Sequence, residues 1–209
     1  MIRTLTEDEI TAAAHLAAAA FREDPGFSHL LPDDAVRRWR LPSLLEAMFR
    51  VDVASGGRVS GAFDDGALVG VAATLPAGAP SPRLRDWLKQ WRALAWMAKD
   101  PSAILRCLAL VDAIERLHPA DADYLHVLAV HPATQGRGIG AALVRDVLKS
   151  DKSVYLETFT PENVAWYEAR GFKRLHEVNS AVRPTFWTFI RKNTELAPER
   201  VGLSIAARL

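Results

Sequence analysis

The chain has 209 residues, 49% of them hydrophobic and 24% charged, with a formal net charge of +1. That is an ordinary globular composition, long enough to bury a sizeable core, and the absence of a basic block argues against a nucleic-acid binder that works by neutralising phosphates. The most apolar helical run, ITAAAHLAAAAF, is too short and too interrupted for a membrane span or a leader, and the single Cys107, set in a helical apolar pattern, reads as a small core residue of a cytoplasmic protein.

MIRTLT alternates like a short strand, and Thr6 with Glu9 has the T-x-x-E spacing of a helix start, which predicts a helix to about Arg22. EDPGFSHLLPDD breaks the pattern as a loop, and a second helix is expected from about Ala35 to Ser55 with Pro42 inside it. GRVSGAF and ALVGVAATL flank Asp64-Asp65-Gly66, the chemistry of a tight hairpin between antiparallel strands. Two tryptophan- and leucine-rich helices are expected over about residues 82–98 and 101–117. DADYLHVLAV is a strand, and SVYLETF is a second strand parallel to it by βαβ logic. NVAWYEARGF is a short helix closed by Gly171, and KRLHEVNSA and TFWTFIRK are final strands. The tail, residues 193–209, carries no legible signal.

The informative stretch is AVHPATQGRGIGAALVRDVL, residues 129–148. Gly136, Gly138 and Gly140 leave backbone amides bare where a strand gives way to a helix. Unpaired N–H groups and the partial positive charge of a helix start make a phosphate or pyrophosphate the natural ligand. The helix that follows is amphipathic, with Ile139, Leu143, Val144, Val147 and Leu148 on one face. GRGIGA also fits a dinucleotide fingerprint with Glu157 as its later acid, so an NAD(P)-dependent oxidoreductase is an alternative. HPATQ intervenes between strand and glycines, however, and too little chain follows Glu157 for the remaining parallel strands. No G-K-[S/T] follows, which excludes a P-loop.

V-x-P-x-x-Q-G-x-G-x-G, formed by Val130, Pro132, Gln135, Gly136, Gly138 and Gly140, resembles the coenzyme A pyrophosphate loop of the GNAT N-acetyltransferases. Leu156, Glu157, Thr158, Asn163, Tyr167, Gly171 and Phe172 are similar to the family's second signature, in the layout of its puromycin-type branch. The resemblance covers about residues 2–192. It implies an α/β (α+β) fold whose mixed, mostly antiparallel central sheet has a parallel pair splayed at the middle. Helices would cover both faces, and a helical pair, residues 82–117, would be inserted between strands 3 and 4 of a single domain, residues 1–192.

The resemblance further implies an acyltransferase with acetyl-CoA as cosubstrate and no metal, acting on a primary amine of a small molecule by direct attack in a ternary complex. The implied cofactor-binding residues are Leu128, Ala129, Val130, Gln135, Gly136, Arg137, Gly138, Ile139, Gly140, Asn163, Trp166 and Tyr167. Tyr167 is the implied acid, since a phenol with an ordinary pKa of about 10 keeps its proton at neutral pH. Glu157 is the implied base. His126 on the preceding strand is its rival, and water is a third option. The acceptor pocket is expected between the FREDPGFSHL loop and the inserted helices, where Trp87, Trp91 and Leu94 share a helical face and Trp96 lies elsewhere. An amine with an apolar body suits such walls. An acyl-CoA-binding module without turnover is the competing reading, and a homodimer is left open.

Overall fold

The computed structural model describes residues 1–79, 84–180 and 184–192. A seven-stranded sheet in the order β1-β2-β3-β4-β5-β7-β6 organises them. Its strands are β1 Ile2–Thr4, β2 Arg58–Asp64, β3 Ala67–Leu75, β4 Ala122–Val130, β5 Ser153–Thr158, β6 Lys173–Val178 and β7 Phe186–Arg191. Every neighbouring pair is antiparallel except β4 and β5. The expected hairpin joins β2 to β3 through Asp65 (φ 47°) and Gly66 (φ 81°), both left-handed as a two-residue turn of this twist requires.

Helices α1 Ile10–Ala20 and α3 Asp34–Ala54 cover one face. There Ala13, Ala17, Leu41, Leu45 and Phe49 pack on Val59, Val71, Ala73, Val127 and Ala129. On the other face α7 Ile139–Val147 and α8 Glu162–Glu168 bury Leu143, Val144, Val147 and Tyr167 against Ala72, Leu125, Val154, Leu156 and Phe189. Thr6 begins the first helical segment as its spacing predicts, its amide donating to Glu9 Oε2 at 2.8 Å. Among the described residues no helix is long and apolar enough to cross a membrane.

Two expectations need correction. The FREDPGFSHL segment is not a loop throughout, because Pro25–Leu30 forms helix α2. Asp24 caps it, accepting from the amides of Gly26 at 2.9 Å and Phe27 at 3.1 Å, and Pro25 occupies the first turn, where its missing N–H costs nothing. Asp-Pro-Gly, read from sequence as a break, is a helix start.

The helix expected over residues 82–98 is broken, and residues 82 and 83 lie outside the described residues. Its remainder is α4 Leu84–Lys89, α5 Trp91–Leu94 and a 3-10 turn at Ala95–Lys99, interrupted at Gln90 (φ −93°, ψ 14°). The break removes the shared face expected of Trp87, Trp91 and Leu94. Trp91 is 60% exposed, while Trp96 is 8% exposed and enters the core beside Ala103. The second inserted helix is α6 Pro101–Glu115. Cys107 on it is half-buried against the core, and burial pushes its thiol pKa up. The final residue of the KRLHEVNSA reading and the tail after Lys192 fall outside the described residues.

Candidate active site

The parallel pair β4 and β5 is joined only at Ala122↔Ser153, Asp123↔Val154 and Tyr124↔Tyr155. Beyond Tyr124, β4 continues with β3 as far as Val130, and β5 continues with β7 as far as Thr158. The two strands therefore part at mid-sheet, and their unpaired edges face one another across the opening. Just past the fork β4 carries a bulge. Val127 pairs with Ala73 and Leu125 with Thr74, so His126 is the extra residue. The bulge turns His126 and Val127 toward the same face, the one covered by α1 and α3, and leaves Leu125 packed with α7 on the other.

The glycine loop closes the wide end of the fork. A 3-10 turn at Pro132–Thr134 leads to Gly136 (φ 78°) and to Gly138 (φ 79°), the N-cap of α7. At neither glycine would a Cβ meet any atom within 4 Å, so the glycines are set there by backbone angle and leave open space in front of the amides. Gln135 Nε2 donates to Val130 O at 3.2 Å and folds the loop back on the end of β4. Arg137 reaches away from the loop to Asp64 of the hairpin, Nη2 to Oδ2 at 2.7 Å. Gly140 faces Trp166 and Val130, each 3.5 Å from where its Cβ would stand. The Arg170 guanidinium covers the outer side of Trp166, 3.5 Å from the ring centre.

Of the remaining cofactor candidates, Ala129 is buried on the α1/α3 face, while Leu128 and Ile139 pack partly against the opposite core. Asn163 Nδ2 donates to Thr158 Oγ1 at 3.2 Å, tying α8 to the end of β5. Tyr167 is 6% exposed among Trp166, Phe172 and Phe189. Burial pushes its phenol pKa up, and the charge of Glu157 adds to that against the opposing effect of Arg170.

On the α1/α3 face the fork holds a chain of polar side chains. Glu157 accepts a short hydrogen bond from the Tyr124 hydroxyl at Oε1, while Oε2 is buried without a hydrogen-bond partner. Burial is the largest influence on Glu157 and raises its carboxyl to about 7, against the lowering effects of Tyr124 and His126. Tyr124 stacks on His126, ring centres 5.0 Å apart. The Nδ1–H of His126 donates to Asp52, 2.9 Å from Oδ2 and 3.1 Å from Oδ1. Burial depresses His126, but the carboxylate of Asp52, itself only 3% exposed, outweighs it and lifts the imidazole to about 9. His126 is thus an imidazolium at neutral pH, its charge answered by Asp52. Glu157 is the group here whose proton equilibrium lies near neutrality.

Glu157 and His126, rivals when read from sequence, belong to one cluster with Tyr124 as the link. Sequence reasoning missed Asp52, Tyr124 and Asp24. Asp52 had a legible signal, an acid at i+3 from Phe49 on the inward face of α3. Asp24 joins α2 to the end of β5, since Thr160 after β5 donates to its Oδ2 at 3.3 Å and Gly26 sits against Phe159. Trp87 is half-buried and Trp91 lies outward.

Residues 91–174 match the model of the acetyltransferase (GNAT) domain. The fold is similar to that of a histone acetyltransferase HPA2 and related acetyltransferase from Corynebacterium glutamicum, with TM-score 0.66 and 20% identity over 92% of this chain and 96% of that one. It is also similar to the PaiA N-acetyltransferase of Thermoplasma acidophilum in complex with coenzyme A, with TM-score 0.54 and 14% identity over 92% and 98% of the two chains. An agmatine N-acetyltransferase gives TM-score 0.55 and 16% identity over 92% and 98%.

Proposed function

On the premise that the chain is a GNAT acetyltransferase, we propose that it transfers the acetyl group of acetyl-CoA to a primary amine of a small molecule, with both substrates bound together in the fork. The observation that carries this reading is the fork itself, with a bare amide loop at its wide end and, on the α1/α3 face, the buried Glu157 carboxyl, which burial raises to about 7. The residues fit coenzyme A. The amides of Gly136, Gly138 and Ile139 would hold its pyrophosphate at the start of α7, where the helix supplies unpaired donors and positive potential. The unpaired edges of Leu128, Ala129 and Val130 would receive the pantetheine arm, with Trp166 and Asn163 on the opposite wall. Gln135 and Arg137 would act by fixing the loop, because their side chains are already bonded to Val130 and Asp64. Acetyl-CoA bound there supplies an acyl group already activated as a thioester.

The protein's own part is proton handling. Glu157 Oε2 takes the proton from the acceptor nitrogen, and a carboxyl titrating near 7 is matched to that task at neutral pH. Tyr124 steadies Glu157 through Oε1 and leaves Oε2 for the amine. Tyr167 keeps its proton well above neutral pH and is the donor available to a departing thiolate. Residues 1–192 would act as one unit, in the cytoplasm. The fold does not select the amine. A panel of agmatine, phenethylamine and spermidine with acetyl-CoA tests the reading, with thiol release and the acetylated product measured together. Amine-dependent release of thiol with matching product supports transfer. Binding of acetyl-CoA with no release in the presence of any amine would instead favour a module that binds without turnover.

A further inference from the structure

Among the described residues, three buried side-chain atoms without a hydrogen bond belong to one group where the fork begins: Glu157 Oε2, the Tyr155 hydroxyl and His118 Nε2. Contacts between side chains join their residues. The His118 ring centre lies 4.8 Å from that of Tyr124 and 5.0 Å from that of Tyr155, and Tyr124 donates to Glu157 Oε1. Tyr155 and Glu157, two residues apart on β5, share the α1/α3 face, while Leu156 between them packs on the other. A buried polar atom without a partner destabilises the fold until something satisfies it, and three in one group mark a surface complementary to a polar ligand. His118 reaches this group from outside the sheet. It stands in the turn between α6 and β4, where its amide donates to Glu115 O at 3.3 Å. Arg106 holds α6 to α2, its Nη2 donating to Leu30 O at 3.0 Å. The turn that closes the inserted segment thus lays an imidazole on the tyrosines of the fork.

His118 and Tyr155 are both uncharged at neutral pH. Burial lowers the pKa of His118, and the charge of His126 lowers it further. Burial pushes the Tyr155 phenol up and the charge of Glu157 adds to that, with Thr188 opposing, although Thr188 Oγ1 is already engaged with His176 Nδ1 at 3.0 Å. The charge acting on His118 is the imidazolium of His126, so a second cation on the acceptor would meet repulsion there rather than an acid. A hydroxyl or an amide suits these atoms, because a neutral imidazole and a phenol can each donate or accept. We infer that His118 and Tyr155 select the acceptor by hydrogen-bonding an uncharged hydroxyl or amide on the same molecule whose amine meets Glu157 Oε2. The inference rests on the fork being the site of acetyl transfer. The acceptor class is then an amino alcohol or amino amide, and not a diamine, a polyamine or a guanidino amine.

The test compares phenethylamine with phenylethanolamine and tyramine, which add a hydroxyl near to and far from the nitrogen of the same body, and with agmatine and spermidine, which add cationic groups, all with acetyl-CoA. For the better of the two hydroxylated amines, kcat/KM is expected to exceed that of phenethylamine, agmatine and spermidine by at least about tenfold. Tyr155→Phe deletes only a hydroxyl from a packed ring and should cut the ratio over phenethylamine to about threefold or less, with KM for acetyl-CoA as in wild type. His118→Phe should do the same, and His118→Gln, which returns a polar group to that place, should recover part of the ratio. Hydroxylated amines no better than phenethylamine, a ratio that survives both Tyr155→Phe and His118→Phe, or a preference for agmatine or spermidine would each overturn the selection. Thiol release with none of these amines would instead overturn the transfer reading, and this inference with it.

Discussion

Glu157 and His126 are both buried and both titrate above their ordinary values, for opposite reasons. Burial alone disfavours the charge on Glu157, whereas Asp52 favours the charge on His126 in spite of burial. Replacing Asp52 by Asn removes that support. The imidazole should then lose its proton near or below neutrality, and ¹H–¹⁵N spectra of the His126 ring would record the fall from about 9. An unchanged titration would mean that Asp52 does not govern the histidine. Tyr167→Phe deletes only the hydroxyl from a packed ring, so turnover should drop by ~10² to 10⁴ with coenzyme A affinity retained. Wild-type turnover would leave Tyr167 a core aromatic. From the sequence, Glu157 and Tyr167 were legible through their motif and His126 through its chemistry. Their shared cluster was not, because the contact between Asp52 and His126 spans 74 residues and depends on a bulge that strand alternation does not announce.

At the level of elements, the glycine loop and α7 lie where their residues placed them, and Gly136 and Gly138 also adopt left-handed angles, which the reading of bare amides alone did not require. Gly138→Val forces a β-branched side chain into φ 79° at the N-cap of α7 and covers the amides in front of it. Calorimetry should show coenzyme A affinity reduced at least tenfold in a protein that remains folded. Full affinity would place the pyrophosphate elsewhere. The regions read less well are those where local and tertiary preferences compete. α2 depends on the cap from Asp24 and on contact with Phe159, and the inserted segment breaks at Gln90 so that Trp96 rather than Trp91 reaches the core. Helical periodicity cannot foresee such a break, because each piece alone satisfies it.

Across the whole molecule, the parting of β4 from β5 brings together groups that lower the stability of the fold as pH rises. Glu157 titrates near 7 when folded against an ordinary 4.5, and His126 near 9 against 6.5. Both folded values lie above the unfolded ones, so the folded state binds more protons. The contribution of Glu157 is complete below about pH 4.5 and is lost as pH rises through 7, and that of His126 is complete below about 6.5 and is lost through 9. The Tm should therefore decline from mildly acidic pH to pH 9. Glu157→Gln should flatten the lower part of that decline and Asp52→Asn the upper part. A Tm that rises over this range would contradict both protonation states. The cost at Glu157 is the consequence of keeping a carboxylate dry enough to work near neutrality, and its use in transfer is open to direct measurement. In the pH dependence of kcat/KM for acetyl transfer to the true amine acceptor, wild type should rise through an apparent pKa of about 7 and Glu157→Gln should lose both the rate and that inflection. An unchanged profile in Glu157→Gln would contradict the account.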